Sequence, residues 1–199
     1  MKTNFLYTSI ILLMTMNILT SCGNKQTATA TDEIVLENIA NRKSVRDYIE
    51  GKAIESDKIE KLLRAGMAAP SGKNIQPWEF IVVTQRATLD TLAAKLQNAK
   101  MLNRATLAII VCADTTKSQY WYVDCAAVTQ NILLAAEAMQ LGAVWTASYP
   151  YENRMNAVKE VCQLPDNIQS LCVIPIGYPS MQDSPKDKWK PEKIHNEKW

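Results

Sequence analysis

The sequence predicts a sheet wrapped by helices, of the α+β or α/β class. Stretches with helical periodicity intermingle along the chain with short β-branched and apolar stretches that are typical of strands, and no internal repeat is present. The chain has 199 residues, of which 47% are hydrophobic and 21% charged. Those values suit one globular domain.

The helices are predicted from apolar residues at helical spacing. In the first, residues 32–40, we expect Ile34, Val35 and Ile39 to face inward. The second begins near Ser56, a residue type that caps helices, and ends before a proline. Three further helices are predicted at residues 89–96, 122–141 and 152–161.

The strands are predicted from runs of β-branched, aromatic and aliphatic residues. The run at residues 107–113 is apolar without alternation, which is typical of a strand buried on both faces of a sheet. The predicted strands are residues 78–84, 107–113, 144–148 and 171–176. The polar tail, residues 180–199, has no core of its own, so we expect it to pack on a partner.

The first 21 residues differ from the rest of the chain. Only Lys2 is charged there, and an apolar run of about 15 residues suits a signal-peptide core, being short for a membrane span. Leu-Thr-Ser then precedes Cys22, which resembles the lipobox of bacterial lipoproteins. We expect a signal peptide at 1–21, lipidation of Cys22, a flexible tether at 22–31 and a folded domain at 32–199. The protein is then lipid-anchored in the cell envelope, facing the periplasm or the exterior. A buried N-terminal helix ending in an ordinary cysteine is the alternative.

The scarcity of glycine and histidine excludes several kinds of site. No two of the six glycines are separated by a single residue, so a G-x-G-x-x-G loop is absent. The single histidine excludes an H-E-x-x-H helix, and no C-x-x-C pair occurs, so no metal site is expected. The net charge is only +2 and the charged residues are scattered along the chain, so no nucleic-acid partner is expected. Cys112 and Cys172 lie on apolar predicted strands, and Cys125 and Cys162 lie on predicted helices, which favours free thiols over disulfides.

A basic segment is the first candidate site. Residues 42–46 read Arg-Lys-Ser-Val-Arg, and in an extended backbone Arg42, Ser44 and Arg46 share one face. Two guanidinium groups and a hydroxyl suit a phosphate, because a guanidinium forks to two oxygens. A solvated basic turn after the helix is the alternative interpretation.

A polar loop at residues 68–78 is the second candidate. It bears Ser71, Asn74 and Gln76 between two prolines. Side-chain amides and backbone N–H groups in such a loop can bind the carbonyls and ring nitrogens of a heterocycle. Turn chemistry explains the same residues equally well.

Together these segments resemble motifs of the nitroreductase family of FMN-dependent flavoproteins. The first is similar to its R-R-S-x-R motif, with Lys43 at the second arginine, and the second to its A-P-S-x-x-N-x-Q-P-W motif. The similar segments are residues 42–46, 69–78, 141–146 and 174–179 and a C-terminal pattern that begins at Lys188. The resemblance covers roughly residues 32–199.

The resemblance implies an α+β sandwich with a central, mostly antiparallel sheet, forming an intertwined homodimer with FMN at the interface. The basic segment and a tail lysine would hold the phosphate and ribityl end, the polar loop would reach the flavin from the other subunit, and a third backbone segment would lie near the isoalloxazine ring. The cofactor-binding residues so implied are Arg42, Lys43, Ser44, Arg46, Pro70, Ser71, Asn74, Gln76, Trp145, Thr146, Ala147 and Lys188.

The resemblance also implies an oxidoreductase in which flavin N5 carries the chemistry and no side chain is catalytic. NAD(P)H or another donor would supply electrons to nitroaromatic, quinone or similar electron-poor acceptors. Because NAD(P)H is cytoplasmic, a membrane quinol is a second hypothesis for the donor of an exported domain. The alternatives are a membrane-tethered flavin carrier without NAD(P)H turnover, or another flavin chemistry such as reductive dehalogenation. Tyr120, Trp121 and Tyr122 are candidates for a stacking wall or for core.

Overall fold

A computed structural model describes residues 26–181 and 183–199. The predicted signal peptide, the lipidation site Cys22 and the start of the predicted tether lie outside the described residues. The chain divides into two units, residues 1–39 and 40–199. Among the residues that are described, no helix combines the length and the apolar character needed to cross a bilayer.

Helix α1, Gln26–Asn41, accounts for the described residues of the first unit. It begins within the segment predicted as a tether, where alanine and glutamine have good helix propensity. Its apolar side chains Ile34, Val35 and Ile39 are exposed rather than turned inward, so that prediction is wrong for the single chain. An amphipathic helix buries its apolar stripe only against a second surface.

The second unit is built on a five-stranded antiparallel sheet, as the resemblance implies. Its strands are β1 (Trp78–Val83), β2 (Leu107–Asp114), β3 (Gly142–Ala143), β4 (Thr146–Ala147) and β5 (Ile168–Gly177). They follow the order β1-β2-β5-β3, and β4 also pairs with β5. Every residue of β2 is buried, as its unbroken apolar run predicts. The two short strands β3 and β4 replace the single strand that was predicted at 144–148.

Helices cover both faces of the sheet. They are α2 (Ser56–Met67), α3 (Arg86–Lys95), α4 (Trp121–Ala138) and α5 (Glu152–Cys162). Leu62 of α2 and Ile132 of α4 belong to the core on one face, whereas Leu92 of α3 and Val158 of α5 belong to the core on the other. Ser56 does not cap α2, because the chain turns into the helix one residue earlier and Glu55 occupies the N-cap position.

The four cysteines of the described part of the chain are free thiols, as the sequence favours. Cys112, Cys125 and Cys172 are buried, and Cys162 is half-buried. Burial raises the pKa of Cys125 and of Cys172 to about 12. Such thiols stay protonated and unreactive at neutral pH.

The C-terminal tail makes little contact with the rest of its own chain. Residues 183–199 are exposed throughout, and their regular structure is one turn of 3₁₀ helix at Pro191–Lys193. His195 stacks on Trp199 with ring centres 4.2 Å apart. Trp189 is 71% exposed, which leaves the packing expected for this tail unsatisfied within one chain.

Candidate functional site

The basic segment runs as extended chain beside β3. Its side chains alternate as the sequence predicts: Val45 is buried, and Ser44 and Arg46 are exposed. The Val45 N–H donates to the Ala143 carbonyl at 3.0 Å, which fixes the segment against the sheet.

The polar face of this segment opens onto a cavity of about 420 Å³. Arg42, Ser44, Arg46 and Lys188 all line it, so the structure brings together the residues that were expected to hold a phosphate. Lys186 lines it too, and only its position two residues before Lys188 could have indicated this from the sequence. Within residues 26–181 and 183–199, no carboxylate lies within ion-pairing distance of Arg42, Arg46 or Lys188. Asp183 also lines the cavity, but the cations there outnumber it, so the cavity suits an anionic ligand.

Lys43 lines the same cavity, but its charge is directed to α4. Its Nζ donates to Oε1 of Glu137 at 3.0 Å, and both side chains are largely buried. Lys43 therefore anchors the basic segment to α4. This contact uses a single donor atom, so a lysine can make it although the R-R-S-x-R motif has an arginine here.

Two glycines allow the basic segment to approach the sheet closely. A Cβ at Gly142 would lie 2.6 Å from Val45, and one at Gly177 would lie 2.8 Å from the ring of Tyr48. Tyr48 is fully buried, and its hydroxyl lies 2.8 Å from the Val45 carbonyl and 3.1 Å from that of Pro175. Sequence reasoning missed this contact, because the partners lie more than 90 residues apart in the chain.

The polar loop has an unusual backbone. Lys73, Asn74 and Gln76 all have φ between +53° and +56°, a backbone region that residues other than glycine seldom adopt. The Gln76 N–H donates to Ser71 Oγ, and its side-chain Nε2 donates to Asn74 Oδ1, both at 3.0 Å. Pro70, Asn74 and Gln76 are exposed and Ser71 is half-buried. None of the four lines the cationic cavity of its own chain.

The third predicted segment is held by its own Thr146 and by two side chains that the sequence did not indicate. Thr146 is buried and donates from Oγ1 to a main-chain carbonyl of β5 at 2.6 Å, and Trp145 and Ala147 are half-buried. The Ala147 carbonyl accepts from Asn98 Nδ2 and from Arg154 Nη1, both at 3.2 Å. This backbone is therefore fixed from both sides.

The aromatic cluster at the start of α4 divides into core and surface. Trp121 is buried and meets Tyr149 edge-on, with ring centres 4.9 Å apart. Tyr122 stacks on Tyr149 at 5.4 Å, and Tyr120 and Tyr122 keep 49% and 40% of their surface exposed. Trp121 is thus a core residue, and the two tyrosines present rings to solvent.

Comparisons with known proteins identify relatives of this chain. The nitroreductase family model matches residues 39–101 and 84–178. A protein of Archaeoglobus fulgidus with the provisional name NADH dehydrogenase/NAD(P)H nitroreductase is 42% identical, covering 84% of this chain and 99% of its own. A solved structure of the same provisional name from Bacteroides thetaiotaomicron is 57% identical with a TM-score of 0.82, covering 83% of this chain and 98% of its own.

A provisionally named nitroreductase of Desulfovibrio desulfuricans, solved in complex with FMN, is also similar. It is 29% identical with a TM-score of 0.71, covering 83% of this chain and 97% of its own. On the family match and the extent of these similarities, the chain belongs to the nitroreductase family of oxidoreductases.

Proposed function

We propose that the chain is an FMN-dependent oxidoreductase that works as a homodimer. It passes electrons from NAD(P)H or another donor to nitroaromatic, quinone or similar electron-poor acceptors. The observation that carries this proposal is the cavity on which Arg42, Ser44, Arg46 and Lys188 converge. The phosphate of FMN is an anion of the kind that such a cavity binds. The relative solved with FMN supports the same assignment.

The polar loop fits the other end of the cofactor. The bonds inside the loop use Oδ1 of Asn74 and Nε2 of Gln76. In the described part of the chain, no hydrogen bond engages the other ends of these amides, the N–H donors of Asn74 and Oε1 of Gln76. A donor and an acceptor side by side suit the pyrimidine edge of a flavin, where carbonyls flank an N–H.

Exposed apolar surface supports the proposal that the chain forms a homodimer. The tail presents Trp189, Ile194 and Trp199 to solvent, and helix α1 presents Ile34 and Leu36. Exposed apolar groups in such numbers are typical of a surface that another protein covers. A second copy of this chain would cover them and bring its own polar loop to the neighbouring cationic cavity.

The chemistry that bound FMN supplies is two-electron transfer between a donor and an acceptor. The chain's own residues bind and orient. Arg42 and Arg46 would hold the phosphate end, Asn74 and Gln76 of a second copy would hold the ring edge, and the backbone at Ala147 would face the ring. This division of labour requires no side chain as acid, base or nucleophile.

The central test removes the cations of the cavity. The variant Arg42→Ala/Arg46→Ala should bind FMN at least roughly 100-fold more weakly, because each charge-assisted contact contributes about 1.5–3 kcal/mol. The matched control is Lys61→Ala/Arg64→Ala, which removes two exposed cations of α2 that pair within the helix. Equal FMN affinity in the double variant and the control would contradict the phosphate assignment.

The electron-transfer activity is tested by rapid anaerobic mixing of the holoprotein. Bleaching of the flavin by NADH, NADPH or a reduced quinone would identify the donor, and reoxidation by a panel of nitroaromatics and quinones would identify the acceptor. A flavin that stays oxidised with every donor would favour a carrier and contradict the oxidoreductase.

For the cellular location, we propose a lipid-anchored protein of the cell envelope. The support for it is the order of a charged start, an apolar core and Leu-Thr-Ser-Cys. Globomycin or Cys22→Ala should block processing and leave the precursor in the membrane fraction. An unlipidated mature protein in the soluble fraction of wild-type cells would contradict the anchor.

A further inference from the structure

The polar loop is held from outside by one buried carboxylate. The Gly72 N–H donates to Oδ1 of Asp124 at 2.9 Å. Asp124 lies in the first turn of α4 and is 5% exposed. Its Oδ2 faces the Ser118 hydroxyl at 3.5 Å, and that hydroxyl accepts the Tyr120 N–H at 3.0 Å.

The surroundings of Asp124 are unusual for a buried acid. Within the described ranges it has no lysine, arginine or histidine partner at ion-pairing distance. The positive end of the α4 dipole and two hydrogen-bond donors stabilise the carboxylate instead. The Gly72 N–H makes the shorter of the two contacts. The ring of Tyr120 closes over the same point, since a Cβ at Gly72 would lie 3.2 Å from it. The start of the loop is therefore fixed to α4 by charge and by packing.

The loop requires such an anchor. Lys73, Asn74 and Gln76 adopt left-handed backbone conformations that persist only where the surroundings impose them. The bonds inside the loop connect Ser71, Asn74 and Gln76 to one another, so they fix its shape but not its place on the protein. At its end, the last residue of β2 donates to the Pro77 carbonyl at 3.0 Å, and at its start the side chain that fixes its place is Asp124, through Gly72.

We propose that Asp124 is a positioning residue for the cofactor: by binding the Gly72 amide, it holds the amides of Asn74 and Gln76 where they meet the flavin ring. This inference rests on the proposed function, because it assigns the loop to FMN. It adds a residue outside the family-like motifs, 52 positions along the chain from the glycine that it holds.

The test compares Asp124→Ala, Asp124→Asn and a matched control, Asn131→Ala. Asn131 lies on the same helix and donates to the Ala65 carbonyl of α2 at 3.0 Å, so its loss removes a similar tether that does not reach the loop. Three quantities are measured: the Kd of the apoprotein for FMN, the thermal midpoint of the apoprotein, and the visible circular dichroism of the bound flavin.

Asp124→Ala should raise the Kd for FMN by about tenfold, equivalent to about 1.4 kcal/mol, and change the dichroism of the flavin. Asp124→Asn keeps an oxygen that can accept the Gly72 N–H, so it should restore most of the affinity. Asn131→Ala should lower the thermal midpoint and leave the Kd and the spectrum as in wild type. If Asp124→Ala lowers only the thermal midpoint, the residue is merely structural and the proposal is wrong.

A double-mutant cycle keeps the proposal testable if the alanine variant is unstable. Asn74→Gly removes an amide that Asp124 is proposed to position and also relieves its backbone strain. Asp124→Ala, or Asp124→Leu, which fills the space without an acceptor, should then change the Kd less in the Asn74→Gly background than in wild type. Fully additive effects would overturn the inference. Failure of the proposed function would give a different result. In that case wild type would not bind FMN, or the Arg42→Ala/Arg46→Ala variant would bind it as tightly as wild type, whichever residue stands at position 124.

Discussion

Gly177→Ala is the substitution whose effect the structure determines most directly. A methyl group there would lie 2.8–2.9 Å from Cγ, Cβ and Cδ1 of Tyr48, closer than carbon atoms approach in folded proteins. Because Cβ and Cγ are near the backbone, a rotamer change of Tyr48 does not relieve the contact, and the backbone at Tyr48, two residues after the basic segment, must move. Overpacking of this kind costs about 1–3 kcal/mol, or roughly 2–12 °C in thermal midpoint for a domain of this size.

The movement should also weaken FMN binding. If the displaced segment loses one charge-assisted phosphate contact, worth about 1.5–3 kcal/mol, the Kd rises roughly 10- to 150-fold. The assay is fluorescence titration of the apoprotein with FMN, together with a thermal melt. Gly51→Ala is the control, because Gly51 has φ +70° and a methyl group added there would have no atom within 4 Å, so alanine adds backbone strain of about 1–2 kcal/mol without a clash. A Gly177→Ala protein that melts and binds FMN like wild type would refute the close-approach argument.

Three further predictions concern contacts around the site. Glu137→Gln should lower the free energy of unfolding by about 1–2 kcal/mol in urea titrations, because Lys43 loses a largely buried counter-charge; an unchanged value would show that the ion pair is neutral for stability. Arg154→Met removes a donor to the Ala147 carbonyl and should change the visible dichroism of bound flavin, whereas an unaltered spectrum would place that backbone away from the ring. The native protein should resist iodoacetamide at Cys125 at pH 8, and its free energy of unfolding should fall as pH rises from about 8.5 towards 12. The reason is that burial raises the pKa of this thiol in the folded protein, so the unfolded state loses the proton at a lower pH and is stabilised by that loss. Rapid labelling of the native thiol would contradict its burial.

The sequence predicts those features that depend on neighbours in the chain. The buried strand β2 is evident from an unbroken apolar run, and the polar face of Arg42, Ser44 and Arg46 from alternation alone. What it could not predict depends on which elements meet in space. Gly177 resembles any strand-terminal glycine until Tyr48 is found against it, and an acid in the first turn of a helix resembles an ordinary partner of the helix dipole. For the same reason the exposure of helix α1 could not be predicted, since periodicity identifies an apolar stripe without identifying the surface that covers it.

Helix α4 contacts both segments that are proposed to bind FMN. Asp124 near its start holds the polar loop, and Glu137 near its end holds the basic segment. Thirteen residues separate them, so the two anchors lie about 20 Å apart along a rigid rod. If two copies are related by a two-fold axis that crosses α4 near its middle at a right angle, the loop end of one α4 lies beside the segment end of the other.

This arrangement makes a prediction about mixed dimers of Arg42→Ala/Arg46→Ala chains and Asn74→Gly chains. If each site takes its basic segment from one chain and its loop from the other, a mixed dimer has one doubly defective site and one intact site. Random reassortment should then restore wild-type FMN affinity to about a quarter of all sites, although neither parent binds tightly. If one chain supplied both halves of its own site, every site would stay defective after mixing, and the shared site would be disproved.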